Sequence, residues 1–434
     1  MESFSKKKTG FPKSWLSALE VTKVELSVEH LREGNLLNEY NASYKAEQAY
    51  PKVEALKITG NADMNSADWY ALSLRNIEKL DLSELKIASI DYDQWNIIRC
   101  FDDLILPESL EYLGIQPAGP DESVPNDHRY PTILHNYDLH NYNLQILTLP
   151  EGLKYINPAA LSRLSSLQEI RVSPRNERYT SVDGVLFEKR NGLPVKLVAY
   201  SYAGDEVYEL PPTVIGIGEY AFAGTLIKKI GGTERLREIG ECAFLSCDQL
   251  KALGDIRELR VIGNSAFCRS SLDKIVLPDT IETIGMDAFK WSSLKEMIIP
   301  EGLTAITARS FMGIYRLESI TLPDSITEIG EAAFAGCAMR EVNLPKYLRE
   351  VGENAFVGCF NLERVIFTSG LPPVIKLNAL RTDFNVHHDY TGKYHLLDYG
   401  GNERKLKIYY PSAWEALPDN FPDDATPYDT VEKD

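Results

Sequence analysis

A phenylalanine recurs along the C-terminal half of the chain at Phe222, Phe244, Phe267, Phe289, Phe311, Phe334 and Phe356, with steps of 22, 23, 22, 22, 23 and 22 residues. Alanine precedes it everywhere except at Phe311, where Ser310 stands instead. A period in the twenties means one supersecondary unit per repeat, stacked on its neighbours. The chain has 434 residues, beyond the size at which one hydrophobic core stops growing. Stacking solves that problem, because each added unit brings its own share of core.

The rest of each unit keeps the same register. Pro278, Pro300, Pro323 and Pro345 each follow a short strand-like run: Leu272–Leu277, Leu294–Ile299, Leu317–Leu322 and Met339–Leu344. Within each run the first, fourth and sixth residues point into the repeat stack and the others face out. A second apolar pair follows the proline, often with glycine, as in Ile281/Ile284-Gly285 and Ile326/Ile329-Gly330. Proline and glycine punctuate the corners where the chain turns. Upstream, Leu144–Ile156 repeats the same offsets, Leu104–Leu110 is a further fragment, and Val53–Thr59 and Ile77–Ser83 read as strands of diverged repeats.

This pattern resembles the BspA-like, or Treponema-pallidum-type, leucine-rich repeat. Tyr179–Phe187, with Asp183-Gly-Val-Leu-Phe187, resembles that family's hairpin-like insertion. Lys407–Pro411 followed by Ala413–Leu417 resembles its closing strand and helix. The Thr307 that replaces a corner glycine and the stretch 215–240 depart from the pattern. The expected fold class is α/β: a strand-dominated, right-handed leucine-rich-repeat solenoid with one long parallel sheet, turns or helical corners opposite, and terminal caps. The expected division is a helical or irregular N-terminal cap over 1–50, diverged repeats over 51–115 and an irregular insertion over 116–143. Regular repeats follow over 144–368, with the hairpin-type insertion at about 174–210, and a C-terminal cap over 369–434 contains a loop at 383–404.

Composition narrows the function. Asp and Glu total 63 against 46 Lys and Arg, a net charge of −17, so the whole-molecule field disfavours nucleic acid and anionic membranes. No apolar run is long enough to span a bilayer. Basic residues at the N-terminus are followed by no apolar signal region, so the chain reads either as cytosolic or as lacking its signal segment. Six cysteines are too few for a disulfide scaffold. Cys247, Cys337 and Cys359 all sit three residues after a repeat phenylalanine, where Thr225, Ser270, Ser292 and Ile314 stand in other units. That slot predicts free, buried thiols. Gly216, Gly218 and Gly224 do not form a phosphate-binding loop, and no G-x-S-x-G, H-E-x-x-H or Walker A motif occurs. The chain therefore reads as a non-enzyme without a cofactor.

Two segments interrupt the repeats and are candidate binding loops. Gln116–Asn143 carries Tyr130, Tyr137 and Tyr142 beside His128, His135 and His140. Asn385–His395 and its flanks carry Phe384, Tyr390, Tyr394 and Tyr399 beside His387, His388, Asp389 and His395. Neither histidine group has a metal-ligand spacing, and tyrosine suits protein or sugar recognition. A second candidate surface is the outward face of the strands, where Lys295, Glu296, Arg340 and Glu341 belong to a series of opposite charges on adjacent rungs that predicts a salt-bridged ladder. The resemblance implies a cell-surface or secreted bacterial protein. The expectation is a monomeric binding or adhesion module for a protein or glycan of a host or neighbouring cell. The alternative is a structural repeat protein of the cell envelope without a soluble ligand.

Overall fold

The structure, a computed structural model, describes residues 23–27, 53–59, 77–91, 94–95, 98, 101–115, 144–162, 164, 166–201, 206–382, 384–388, 394–398, 406–422 and 426–428. It falls into two compact units, one comprising residues 1–194 and 198–204, the other residues 195–197 and 205–434. Both are strand-dominated parallel solenoids. The α component is small: among the described residues helix is limited to the 3-10 turn Pro158–Leu161 and to Gln94, Trp95 and Ile98.

In the first unit, strands Lys23–Ser27, Val53–Thr59, Ile77–Asp81, Asp103–Ile105, Ile146–Leu149 and Glu169–Val172 pair in parallel in that order. The register stacks Leu56, Leu80, Leu104, Leu147 and Ile170 in one buried column. Val53–Thr59 and Ile77–Asp81 are strands, as the sequence predicts. Lys23–Ser27 lies where a helical or irregular cap was expected. Its Val-Glu-Leu alternation is too short to stand out in sequence, but pairing with Val53–Thr59 supplies its hydrogen bonds. A second ladder, Ser89–Asp91, Tyr112–Ile115 and Tyr155–Ile156, runs alongside. Tyr179–Val182 and Val185–Arg190 form the antiparallel hairpin, and Asp183 and Gly184 at its tip take the positive φ values that a tight hairpin turn demands.

In the second unit each coil contributes three rows. The first ladder contains Val207–Glu209, Lys229–Gly231 and Ala252–Leu253; then Glu296–Ile298 and Ser319–Thr321; then Glu341–Leu344, Arg364–Phe367, Lys407–Pro411 and Thr426–Tyr428. The second contains Gly216–Ile217, Glu238–Ile239, Val261–Ile262 and Thr283–Ile284, then Ala305–Ile306, Glu328–Ile329, Glu350–Val351 and Val374–Ile375. The expected long sheet is thus divided into several parallel sheets on two rows.

The third row is the phenylalanine corner. The seven rings stack with centroids 5.0–5.6 Å apart, all fully buried. Their amides continue the stacking, from Phe222 donating to the Ala243 carbonyl at 2.8 Å to Phe356 donating to that of Ala379 at 3.0 Å. The corner closes because the residues two before and two after each phenylalanine adopt left-handed φ, for example Asp287 (55°) and Trp291 (56°) around Phe289. Repeat glycines let successive coils touch: a Cβ on Gly285 would lie 2.5 Å from the Asn264 backbone nitrogen.

The predicted closing helix after Lys407–Pro411 does not form. Ala413–Leu417 is turn and irregular backbone, because its apolar residue serves as a plug instead. Trp414 packs edge-on against Phe367 with centroids 5.4 Å apart, and its indole Nε1 donates to the Ser369 carbonyl at 2.9 Å.

Candidate binding surface

The outward rungs of the first ladder form the surface. One rung runs through Lys229, Ala252, Lys274, Glu296, Ser319, Glu341, Arg364 and Lys407 in successive coils. The next outward rung runs through Gly231, Gly254, Val276, Ile298, Thr321, Asn343, Ile366 and Tyr409. Val276 and Ile298 are adjacent on that rung, and their side chains are 72% and 69% exposed. They place two branched aliphatic residues in water on neighbouring coils.

Lys295, Glu296 and Arg340 lie exposed on this face, and Glu341 is half-buried. Of the expected charge ladder, Glu341 pairs with Arg364 at 3.2 Å, whereas among the described residues Lys295, Glu296 and Arg340 make no ion pair. Lys274 and Glu296 occupy the same rung, but the coils that carry them are not hydrogen-bonded there, so register alone does not bring the charges together. Elsewhere the one-repeat pairing holds, as in Arg260–Glu282 at 2.6 Å and Lys228–Glu206 at 2.6 Å.

The first ladder is interrupted on this face. Leu272–Leu277 is not a strand, and no backbone N–H or carbonyl within it has a hydrogen-bond partner among the described residues. On the inward column of this ladder Ile230, Met297, Val342 and Val365 are buried, whereas Leu253 is half-exposed, as are Tyr208 and Ile320. A groove of about 590 Å³ lies here, between Lys251–Arg257 on one side and Asp273–Val276 with Pro278 on the other.

The aromatic-loop candidates are placed unevenly. Phe384 lies in Phe384–His388 and Tyr394 in Tyr394–Asp398, two strands that form an antiparallel hairpin pairing His387 with His395 and His388 with Tyr394. Tyr130, Tyr137, Tyr142, Tyr390 and Tyr399 lie outside the described residues. Among the described residues no group of three or more His, Cys, Asp or Glu could hold a metal ion, and no helix is long and apolar enough to cross a membrane.

Opposite the strand face, the corner carries a buried ionic cluster that sequence reasoning missed. Asp287 is buried between the Lys290 ammonium at 3.0 Å and the Arg309 guanidinium, whose Nη2 is also 3.0 Å away. Arg269 and Lys290 both sit over the Trp291 ring, at 4.7 and 4.6 Å. Every charge here has a partner within the fold, which makes the cluster a structural brace. Its members lie at the two left-handed positions and one residue past the phenylalanine, a spacing visible only once the corner geometry is known.

The described cysteines, Cys242, Cys247, Cys268, Cys337 and Cys359, are free and buried, as expected for the slot. Cys247, Cys337 and Cys359 donate to the phenylalanine carbonyl of the preceding coil, at 3.0, 3.1 and 3.0 Å. Burial pushes the thiols of Cys242, Cys247, Cys268 and Cys359 up to about 12, and that of Cys337 well above its ordinary value. Such thiols pack; they do not act as nucleophiles.

The repeat has a known counterpart. The BspA type leucine rich repeat region matches residues 130–193, 199–317 and 282–381, more than half of the chain, in six copies. The chain belongs to the BspA-type leucine-rich repeat family. Several solved structures are similar to this BspA-type chain. A leucine-rich repeat protein from Bacteroides ovatus is 15% identical, with 98% of this chain and 99% of that chain covered and a TM-score of 0.41. One from Eubacterium ventriosum is 16% identical, over 70% of this chain and 87% of that chain, with a TM-score of 0.39. A leucine rich cell surface protein from Faecalibacterium prausnitzii is 14% identical, over 83% and 91%, with a TM-score of 0.24. No functionally curated protein matches the chain.

Proposed function

We propose that this BspA-type chain is a non-enzymatic binding module, displayed on or secreted from a bacterial cell, that holds a protein or glycan partner against the outward face of its first ladder. The exposure of Val276 and Ile298 carries the reading. Their apolar surface lies beside Lys274, Lys295 and Glu296, an apolar centre with a charged rim of both signs, the anatomy of a protein-binding patch. Family membership supports the surface location and the absence of catalysis. The aromatic segments 116–143 and 385–395 are the second proposed contact region, with Tyr130, Tyr137, Tyr142, Phe384, Tyr390 and Tyr394 as its anchors.

The test is a screen of the purified protein, at physiological salt, against immobilised matrix proteins and against host and bacterial glycans. A saturable hit that weakens at least tenfold in a Val276→Ser/Ile298→Ser double variant with an unchanged melting temperature supports the face. A hit lost on deletion of 116–143 or 385–395, but not in the double variant, moves the site to the aromatic segments. Failure to bind anything, together with self-association on sizing, would replace the binding module with an envelope scaffold.

A further inference from the structure

The interruption of the first ladder has the chemistry of an unfilled strand position. Leu272–Leu277 is pinned at both ends: the Ser271 amide donates to the Cys247 carbonyl at 3.1 Å, and the Thr280 hydroxyl to the Leu259 carbonyl at 2.7 Å. Between these pins the six residues, about 20 Å of extended chain, carry donors and acceptors that no described residue uses. The neighbouring strands end their sheets here, Ala252–Leu253 pairing only with Lys229–Gly231 and Glu296–Ile298 only with Ser319–Thr321. An exposed strand edge of this kind is a template for another chain. The groove beside it is floored by half-exposed Leu253 and buried Ile275, flanked by small Ala252 and Gly254, and edged by Val276.

From these observations we infer that the groove between Lys251–Arg257 and Asp273–Pro278 accepts an extended segment of a partner protein by strand addition. The inference rests on the binding-module reading and names its partner class. A polypeptide is the occupant because only its backbone offers donors and acceptors at the strand repeat that Leu272–Leu277 presents. Its side chains alternate between apolar groups, which settle on Leu253 and Val276, and acidic groups. The acidic preference follows from the rim. Among the groove-lining residues Arg257 is held by Asp255, whereas Lys251 and Lys274 have no ion pair with any described residue and outnumber the one unpaired carboxylate of the lining, Asp273.

The probes are three acetylated nine-residue peptides that alternate valine with glutamate, serine or lysine, measured by fluorescence polarisation and by amide hydrogen exchange of the full chain. The glutamate peptide should bind at least tenfold tighter than the lysine peptide and slow exchange across 273–277. Val276→Pro removes an N–H that has no partner among the described residues, so the fold should be untouched while peptide affinity falls at least tenfold. Val276→Thr keeps the N–H and should lose only a few-fold. Absence of binding by all three peptides, unchanged exchange at 273–277, or undiminished binding by the proline variant would overturn strand addition. So would a second copy of the chain occupying the groove, read as a dimer that the glutamate peptide does not disperse. A partner from the binding screen that holds the proline variant at full strength leaves the binding module standing and removes only this inference.

Discussion

The ring of Phe289 lies on that of Phe311, centroids 5.5 Å apart and planes 5° from parallel, across a step at which neither strand ladder continues. At that step the corner carries the connection, through Asp287, Phe289 and Trp291 amides donating to the Ala308, Ser310 and Met312 carbonyls at 3.3, 2.8 and 2.9 Å. Phe311→Ala should therefore cost about 3–5 kcal/mol, the usual range for a buried phenylalanine. Because stability in a stacked array is a sum of neighbour terms, the loss should concentrate at this step. Hydrogen exchange should accelerate first in residues 287–312, and uniform acceleration over the whole second unit would contradict it.

Thr307 spans the same step. Its hydroxyl donates to the Ile284 carbonyl at 2.8 Å and to the Gly285 carbonyl at 3.0 Å, the bridge that substitutes for the missing ladder bonds. Thr307→Val keeps the shape and leaves the carbonyls without that donor, so urea unfolding should show a loss of about 1–2 kcal/mol. Thr327→Val, whose hydroxyl lies on an exposed part of an intact ladder, should cost less than half as much.

Asp287 ties Lys290 and Arg309 together in a setting where its own side chain is only 6% exposed. Removing one member of a buried ion group leaves uncompensated charge and typically costs about 3–5 kcal/mol. Asp287→Ala should fall in that range and also lose a residue type that tolerates a φ of 55°. Asp287→Asn keeps the left-handed preference and the acceptor oxygen, and should cost clearly less. Equal urea midpoints for the two variants would show that the charge, which both lose, is decisive, and not the left-handed backbone that only asparagine tolerates.

The buried thiols set an alkaline limit. A thiol near 9 in the unfolded chain and at about 12 in the folded one is neutral in both states below pH 9. Above pH 9 the unfolded chain releases the proton and the folded one does not, so stability falls as pH rises, by about 1.4 kcal/mol per pH unit for each thiol until the folded value is reached. Melting temperature should drop steeply from pH 9 to 11, and less so in a Cys247→Ala/Cys359→Ala double variant. A thiol reagent at pH 8 should leave Cys242, Cys247, Cys268, Cys337 and Cys359 unmodified until denaturant is added.

Much of the core was legible because the period repeats the same chemistry. The apolar positions of Leu294–Ile299 and Met339–Leu344 are buried as the first, fourth and sixth residues should be, and the Cys247, Cys337 and Cys359 slot is interior. Ala413–Leu417 was misread as helix because short apolar runs do not reveal their partners. Trp414 is held by Phe367, Tyr410 and Phe421, contacts that no local pattern encodes. The candidate face was legible as a set of outward residues, Lys295, Glu296, Arg340 and Glu341 among them, but the groove beside it was not.

By itself the sequence determined the repeat, the residues that face the core and the corner that phenylalanine fills, since these follow from the period and the hydrophobicity of single positions. Only the tertiary structure decided where the ladders stop. Leu272–Leu277 has the same strand-like pattern as Met339–Leu344, yet one is unpaired and the other is a strand bonded to Arg364–Phe367. Pairing depends on the neighbouring coil as well as on the run itself: at the step after Leu272–Leu277 the coils are joined instead through Thr307 with Ile284 and Asp287 with Arg309. A ladder hydrogen bond forms only where two coils present their backbones at bonding distance, and nothing within Leu272–Leu277 encodes where its neighbours lie.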